Sequence, residues 1–331
     1  MQRKKFFGVN GKDLQKEFLL HRNSGSYAIF VDREIIFLRK TSEHDEKKYK
    51  EAYSLCRVWL VFHHDATGVY RKRTAGGNEV SVDSIPMDTT VYLDEANTES
   101  PKCQIKINFK YLKSADKNDS LTQVINQVLE DAFSSAHAGA ASPQAFVSSI
   151  KESLAGDYLK DVQGSYHTDL KNGMKPDEIP NWYNYEYEIN SELQEGKDSI
   201  WNYAVTTFQY TGGAHPNTWA QWVNIDAANG KKLDKSEVFA KGTEEDICRL
   251  ILDKLLAEAN KKLETDTLTC VEGLQAVGIL LDTDLYVPDN FLLEKEGVTF
   301  LYNTYDIAPY YMGRFQLTVP YEEINTYLIK K

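Results

Sequence analysis

The chain offers few residues that could do chemistry, and the most conspicuous is His215 in Tyr210-Thr211-Gly212-Gly213-Ala214-His215-Pro216. A histidine raised on a rigid loop can serve as a ligand or a proton-transfer group. It can equally tie the loop together through hydrogen bonds to backbone. Gly212 and Gly213 supply residues able to take positive φ, and Pro216 fixes the exit of the chain. The seven histidines are scattered, with only His63 and His64 adjacent. No H-E-x-x-H or H-x-x-x-H spacing occurs, and no two of Cys56, Cys103, Cys248 and Cys270 form a C-x-x-C pair, so no metal site and no cofactor is expected. A phosphate-cradling glycine loop and a G-x-S-x-G elbow are also missing. Among the carboxylates, Asp282 and Asp284 form the closest apolar-flanked pair, and the spacing alone assigns them no acid/base role.

A second landmark is Phe300-Leu301-Tyr302-Asn303-Thr304-Tyr305-Asp306-Ile307-Ala308-Pro309-Tyr310-Tyr311-Met312-Gly313. Pro309 pushes Ala308 out of helical space and stiffens the loop. Tyr305, Tyr310 and Tyr311 then form an aromatic cluster that either holds a partner or plugs the sheet. The candidate binding residues are therefore Gly212, Gly213, His215, Pro216, Tyr305, Pro309 and Tyr310.

The elements that position these loops follow from periodicity. Ser199–Tyr210 places Trp201, Tyr203, Val205 and Thr207 on one face, with Ile200, Ala204, Thr206 and Phe208 on the other. Asn217–Asp226 alternates again, so the two runs read as a β-hairpin with His215 at its tip. Trp182–Ser191 joins them as a meander. Cys103–Leu112 is a half-solvated strand. Ser120 with Gln123 reads as a capping box opening a helix through Phe133, and Ser142-Pro143 opens the next, with Phe146, Ile150, Leu154 and Tyr158 on its apolar face. Thr243-Glu244-Glu245-Asp246 starts a helix to about Leu263, its acidic first turn suiting the positive helix end. Short strands are expected at 278–281, 291–295, 298–302 and 315–319, and a closing helix at 322–330. Strands and helices are grouped, so the fold class is α+β: mostly antiparallel sheets with helices packed on one face, in two intertwined or adjacent subdomains.

Residues 1–84 read differently. Ile29–Leu38 is strand-compatible, Glu43–Glu51 helix-compatible, and Val69–Ser84 polar and linker-like. The segment is expected to be an N-terminal extension or linker, or to lie upstream of the authentic start. One module is expected over 85–232, carrying the Gly-Gly-Ala-His loop, and another over 233–331, carrying the Tyr-Asp-Ile-Ala-Pro-Tyr loop.

Bulk composition narrows the function classes. The chain has 331 residues, 42% apolar and 26% charged, with a net charge of −11. Residues 1–80 hold 16 basic and 10 acidic side chains, leaving 22 basic and 39 acidic, a balance of −17, in the rest. An acidic body argues against nucleic acid as a partner. No run of 18 apolar residues exists, so no transmembrane helix is expected. Ala52–Phe62 is apolar but lies too deep and contains Arg57, so no export signal is legible.

The two landmarks in this order, with Phe291–Leu293 ahead of Glu296-Gly297 and Val319-Pro320-Tyr321-Glu322-Glu323-Ile324 closing the chain, carry a resemblance over residues 86–326. The chain resembles a paired domain-of-unknown-function family of bacterial cell envelopes. That family forms the extracytoplasmic region of lysozyme-binding anti-sigma-V factors, stands beside some peptidoglycan deacetylases, and occurs as free-standing envelope lipoproteins. The resemblance implies a non-catalytic extracytoplasmic protein, in the periplasm or on the outer envelope surface. Its expected partner is a macromolecule such as a lysozyme-like cationic protein or peptidoglycan. The alternative is a cell-wall glycan or peptide hydrolase with His215 as general base. Departures from the family pattern bound the expectation. The deacetylase's paired Asp and H-x-x-x-H are missing, so that activity does not carry over. Pro216 stands where the family usually has a small residue, and no transmembrane helix or lipoprotein signal is legible in this sequence.

Overall fold

A computed structural model describes residues 79–116, 118–175 and 178–329, together with the backbone of four strands before them. The chain divides into two units, residues 1–66 and 67–331. In the first, β1 (Leu20–Asn23), β2 (Ser26–Val31) and β3 (Glu34–Leu38) form an antiparallel sheet in that order. The strand expected over Ile29–Leu38 is therefore two paired strands, with Ile29 opposite Ile36. The helix-compatible run 43–51, the apolar run 52–62 and the His63-His64 pair lie outside the described residues.

The second unit is built on a seven-stranded sheet. Its strands are β4 (Arg71–Arg73), β5 (Glu79–Tyr92), β6 (Lys102–Ser114), β7 (Tyr185–Glu195), β8 (Ile200–Thr211), β9 (Asn217–Asp226) and β10 (Lys232–Leu233). They lie side by side in that sequence, every pair antiparallel except β6 with β7. The stretch 69–84, expected as linker, instead supplies β4 and the first half of β5. β5 pairs with β6 from Val80–Ser114 to Tyr92–Lys102, so the expected break at 84/85 falls inside a strand. Pro86 diluted the strand signal. It lies past the β4 pairing, which ends at Ser81, where the missing N–H faces an open edge and removes no ladder bond.

A parallel pair needs a long crossover, and two helices provide it: α1 (Ser120–Ser134) and α2 (Pro143–Lys171). Asp119 caps α1, accepting from the Thr122 N–H at 3.2 Å, and also takes the Ser114 and Thr122 hydroxyls. Ser120, expected as the cap, is the first helical residue. Ser142 caps α2 as expected, accepting from the Ala145 N–H at 3.1 Å, with Pro143 in the first turn where it loses no bond. Both helices cover one face of the sheet. Phe109 of β6 meets Phe133 of α1 at 5.2 Å and Phe146 of α2 at 4.8 Å between ring centroids. All three rings are buried, each contributing on the order of 2 kcal/mol through area removed from water.

The rest of the unit follows the same logic on a smaller scale. After α3 (Lys235–Val238), α4 (Glu244–Lys262) buries Ile247, Ile251, Leu255 and Ala259. This stripe packs with Phe315, Leu317 and Val319 in one core. The sheet it covers is antiparallel, in the order β11 (Phe291–Leu293), β12 (Gly297–Tyr302), β13 (Phe315–Pro320). The strand expected at 278–281 does not form. Val271–Ala276 is a short helix, α5, and beyond it Gly278 and Leu280 take φ of 86° and 56°, outside strand geometry. Ile279 and Leu280 are buried, and the Leu280 N–H bonds the Ile307 carbonyl. The closing helix expected over 322–330 is a single turn, α6 (Tyr321–Ile324), followed by a 3₁₀ turn over Asn325–Tyr327. Tertiary backbone bonds capture the end instead: Ala240 N–H to Tyr327, and Ile329 N–H to Val238.

Asparagine side chains join the two sheets. Asn290 accepts from Trp222 N–H at 2.9 Å and donates to Ala220 carbonyl at 3.2 Å. Asn303 does the same to Ala220 N–H and carbonyl at 2.7 and 3.0 Å. From the other side, buried Asn224 bonds Phe291 carbonyl and Leu293 N–H, both at 2.8 Å. β10 pairs with β9 only at Asn224 and Ile225, so the amides occupy the unpaired part of that edge, leaving no strand template there. The expected break at 232/233 falls inside β10. The molecule is α+β, with mostly antiparallel sheets and helices on one face. Among the described residues no helix is long and apolar enough to cross a membrane.

Candidate functional site

β8 and β9 pair out to Gln209–Asn217, which delivers the His215 loop at a fixed place on the sheet edge. Gly212 takes φ of 78°, and a Cβ there would stand 2.2 Å from the Trp182 carbonyl oxygen. This position therefore demands glycine twice, by conformation and by contact. Gly213 needs neither: its φ is not positive, and a Cβ would meet nothing nearer than the His215 carbonyl at 4.0 Å. The loop sits on Trp182, whose ring stacks on Tyr183 at 4.0 Å.

The second loop leaves β12 through a turn closed by Asp306, whose carboxylate accepts from the Asn303 N–H at 2.7 Å. Tyr305 holds φ of 75°, a strained conformation for a residue with a Cβ. Pro309 starts the 3₁₀ turn Tyr310–Met312. It also packs over Gly278, where an added Cβ would sit 3.6 Å from its ring. Asn303 ties this loop to Ala220 of β9, and that tie brings the two loops together.

The meeting point is aromatic. The His215 ring stacks on Tyr310 with centroids 4.0 Å apart and planes at 27°. Tyr305 flanks Tyr310 at 5.8 Å, its hydroxyl 3.4 Å from His215 Nε2. The Tyr310 hydroxyl donates to the Pro216 carbonyl at 3.0 Å, and His215 Nδ1 lies 3.0 Å from the same oxygen. A carbonyl only accepts, so Nδ1 carries the proton and Nε2 is left to accept from Tyr305. Four of the seven candidate residues thus form one contact group: His215, Pro216, Tyr305 and Tyr310. Gly212 shapes the loop from beneath, whereas Gly213 and Pro309 lie outside the ring contacts.

Sequence reasoning missed two residues here: Asn303, which anchors the second loop, and Trp182, which seats the first. Nothing in an isolated Asn-Thr or Asn-Trp dipeptide marks such roles, because each depends on a backbone group distant in sequence. Tyr311, named in the aromatic cluster, donates its hydroxyl to the Val277 carbonyl at 3.1 Å.

The surroundings of His215 bound the chemistry the loops present. Among the described residues His215 has a carbonyl, a hydroxyl and a ring as its neighbours and no carboxylate to orient it as a base. No group of three or more His, Cys, Asp or Glu among the described residues could hold a metal ion. What the site offers is surface. Tyr305 is 59% exposed and Tyr311 70% exposed, large values for aromatic rings on fixed backbone.

Comparison with known proteins places the chain. A family described as "Protein of unknown function (DUF3298)" matches residues 236–322, the segment that includes the second loop. The crystal structure of a DUF3298-family member from Bacteroides fragilis NCTC 9343 is 30% identical, with a TM-score of 0.66. The match covers 76% of this chain and 94% of that one. A DUF3298-family protein from Pseudomonas aeruginosa PAO1 matches at 17% identity and a TM-score of 0.46, over 75% of this chain and 94% of that one. No curated protein matches. With that identity sustained across nearly the whole of the Bacteroides fragilis protein, the chain belongs to the DUF3298 family.

Proposed function

We propose that this chain is a non-catalytic, extracytoplasmic binding protein of the bacterial envelope. Its joined loops dock a cationic, lysozyme-like protein. The observation that carries the reading is the convergence of two loops 90 positions apart into one aromatic group that turns Tyr305 to solvent, with Tyr311 exposed on the same loop. Rigid, half-exposed tyrosines are the residues that anchor protein interfaces, because they bring large contact area with little side-chain entropy to lose. The balance of −17 over residues 81–331 would steer a basic partner toward the molecule. The resemblance to the extracytoplasmic part of lysozyme-binding anti-sigma-V factors supports the same class of partner, whereas the resemblance to domains beside peptidoglycan deacetylases favours peptidoglycan, the alternative partner.

The test is a calorimetric titration of the full chain with lysozyme at low and at physiological salt. The expected outcome is saturable binding that weakens with salt, and weakens by about tenfold or more in Tyr305→Ala and His215→Ala. Equal affinity in wild type and both variants would remove the loops from the interface. Binding of muropeptides without lysozyme would replace the partner. Turnover of a cell-wall substrate lost in His215→Ala would replace binding with hydrolysis.

A further inference from the structure

A recess lies on the helix-covered face of the large sheet, a cavity of about 220 Å³ where α1 and α2 meet β7, β8 and β9. Its wall includes the aromatic rings of Phe133, Tyr187 and Trp219 and the polar side chains of Thr207, Gln209 and Gln221. Phe133 and Tyr187 are buried at its floor, whereas Gln221 stands exposed at its rim. Thr207 lies opposite Trp219, and Val205 opposite Gln221, so the polar groups project from adjacent strands onto one face.

The binary pattern of both strands changes here. Along β8 the inward positions run Trp201, Tyr203, Val205 and then Thr207 and Gln209; along β9 they run Ile225, Val223 and then Gln221 and Trp219. Thr207 and Gln209 are half-buried and Gln221 is exposed, so their polar groups reach the open side of the recess instead of being sealed in the core. Thr207, Gln209 and Gln221 make no side-chain hydrogen bond to another described residue, and neither does the Trp219 indole, yet none of these atoms is buried without a partner. The Tyr187 hydroxyl keeps its proton throughout the ordinary pH range, because burial, with Cys103, Asp157 and Asp161 nearby, pushes it up to about 12.

From this we infer that the cavity is a binding site for one neutral saccharide ring. No lining residue carries a charge near neutral pH, so a phosphate or carboxylate would enter unpaired at high cost. Two primary amides and a hydroxyl offer donors and acceptors together, matching hydroxyls, which are both. The aromatic rings supply apolar faces for the ring's C–H surface. The volume falls below the roughly 300–1,000 Å³ of drug-sized pockets, which limits the occupant to a single ring. The inference does not rest on the docking loops, which present Tyr305 and Tyr311 elsewhere.

The experiment is a titration of the full chain with glucose, N-acetylglucosamine and a short β-linked oligomer of the latter, followed by tryptophan fluorescence and by calorimetry. The expected result is saturable binding on the order of millimolar, with the fluorescence change lost in Trp219→Phe. Gln209→Leu should weaken it about tenfold or more, and so should Gln221→Leu at the rim, with unchanged melting temperatures. Equal affinity for monomer and oligomer marks a site for a free sugar; tighter oligomer binding marks the end of a glycan chain. Absence of saturation with every sugar overturns the inference. So does unaltered affinity in both glutamine variants, and so does competition by inorganic phosphate. Lysozyme binding is unaffected in the Gln209→Leu and Gln221→Leu variants, so a failure here is distinct from a failure of the docking loops.

Discussion

The loop cluster around His215 and the cleft around Gln209 stand at the same end of one hairpin, yet they treat their polar groups in opposite ways. In the cluster, polar atoms find partners inside the molecule: Tyr310 and His215 share the Pro216 carbonyl, and Asp306 closes its own turn. In the cleft, Thr207, Gln209 and Gln221 find none. A satisfied network rigidifies the backbone that carries it, and its value lies in the shape presented. A set that meets solvent and bonds no other described residue adds little to folding and stays open to a ligand. The contrast separates a docking surface from a recess.

Three substitutions break or sharpen that contrast. The largest effect is expected from Gly212→Ala, which places a Cβ on top of the Trp182 carbonyl oxygen and strains the positive-φ backbone. It should cost about 2–4 kcal/mol, read by chemical denaturation, and should move the His215 loop away from Tyr310. Gly213→Ala in the same assay serves as the neutral control. Next is Tyr310→Phe, which keeps the stack and removes only the bond to Pro216. A loss of about 1 kcal/mol is expected, and a much larger loss would show that the hydroxyl also organises the backbone. The smallest is Gln209→Leu, expected to leave stability within about 0.5 kcal/mol of wild type, or to raise it slightly, since no bond is lost and apolar area is gained. A loss comparable to Tyr310→Phe would mean that Gln209 is structural, and the contrast would collapse.

Much of the fold was legible because local chemistry and tertiary structure agreed. Ser142-Pro143 opens a helix wherever its apolar stripe finds a sheet, and Thr243 with its acidic first turn does so again. The alternation of β8 and β9 survives because one face meets helices and the other sets Ala204, Ala220 and Trp222 against Leu292 and Leu301 of the second sheet. Legibility failed where two local signals competed or none existed. Asp119 displaced Ser120 as cap by bonding three groups at once. β5 was unreadable because its polar residues are tolerated by pairing along the whole of β6 instead of by burial. The apolar run Ile279-Leu280 looked like a strand, but buried side chains there required positive φ, which no strand supplies.

The candidate residues divide the same way. Gly212 and His215 stood out because a glycine pair followed by a lone histidine is conspicuous between two strands. That Gly212 is indispensable and Gly213 is not follows from a carbonyl 30 positions upstream, so it could not be read locally. The cleft left a trace in the sequence, as the change from apolar to Thr207 and Gln209 along one face, but a polar strand end is ordinary unless helices are known to close over it.

The sequence alone determined the class of fold, the hairpin that raises His215, most helix starts and the acidity of the body. Each depends on spacing, caps and charge within a few turns of chain. Tertiary structure decided the parallel pairing of β6 with β7, the asparagine joints between sheets, the stack of His215 on Tyr310, and the recess left open beneath the helices. These rest on contacts between residues tens of positions apart, whose partners are chosen by packing and by the obligation of every buried backbone group to find a bond.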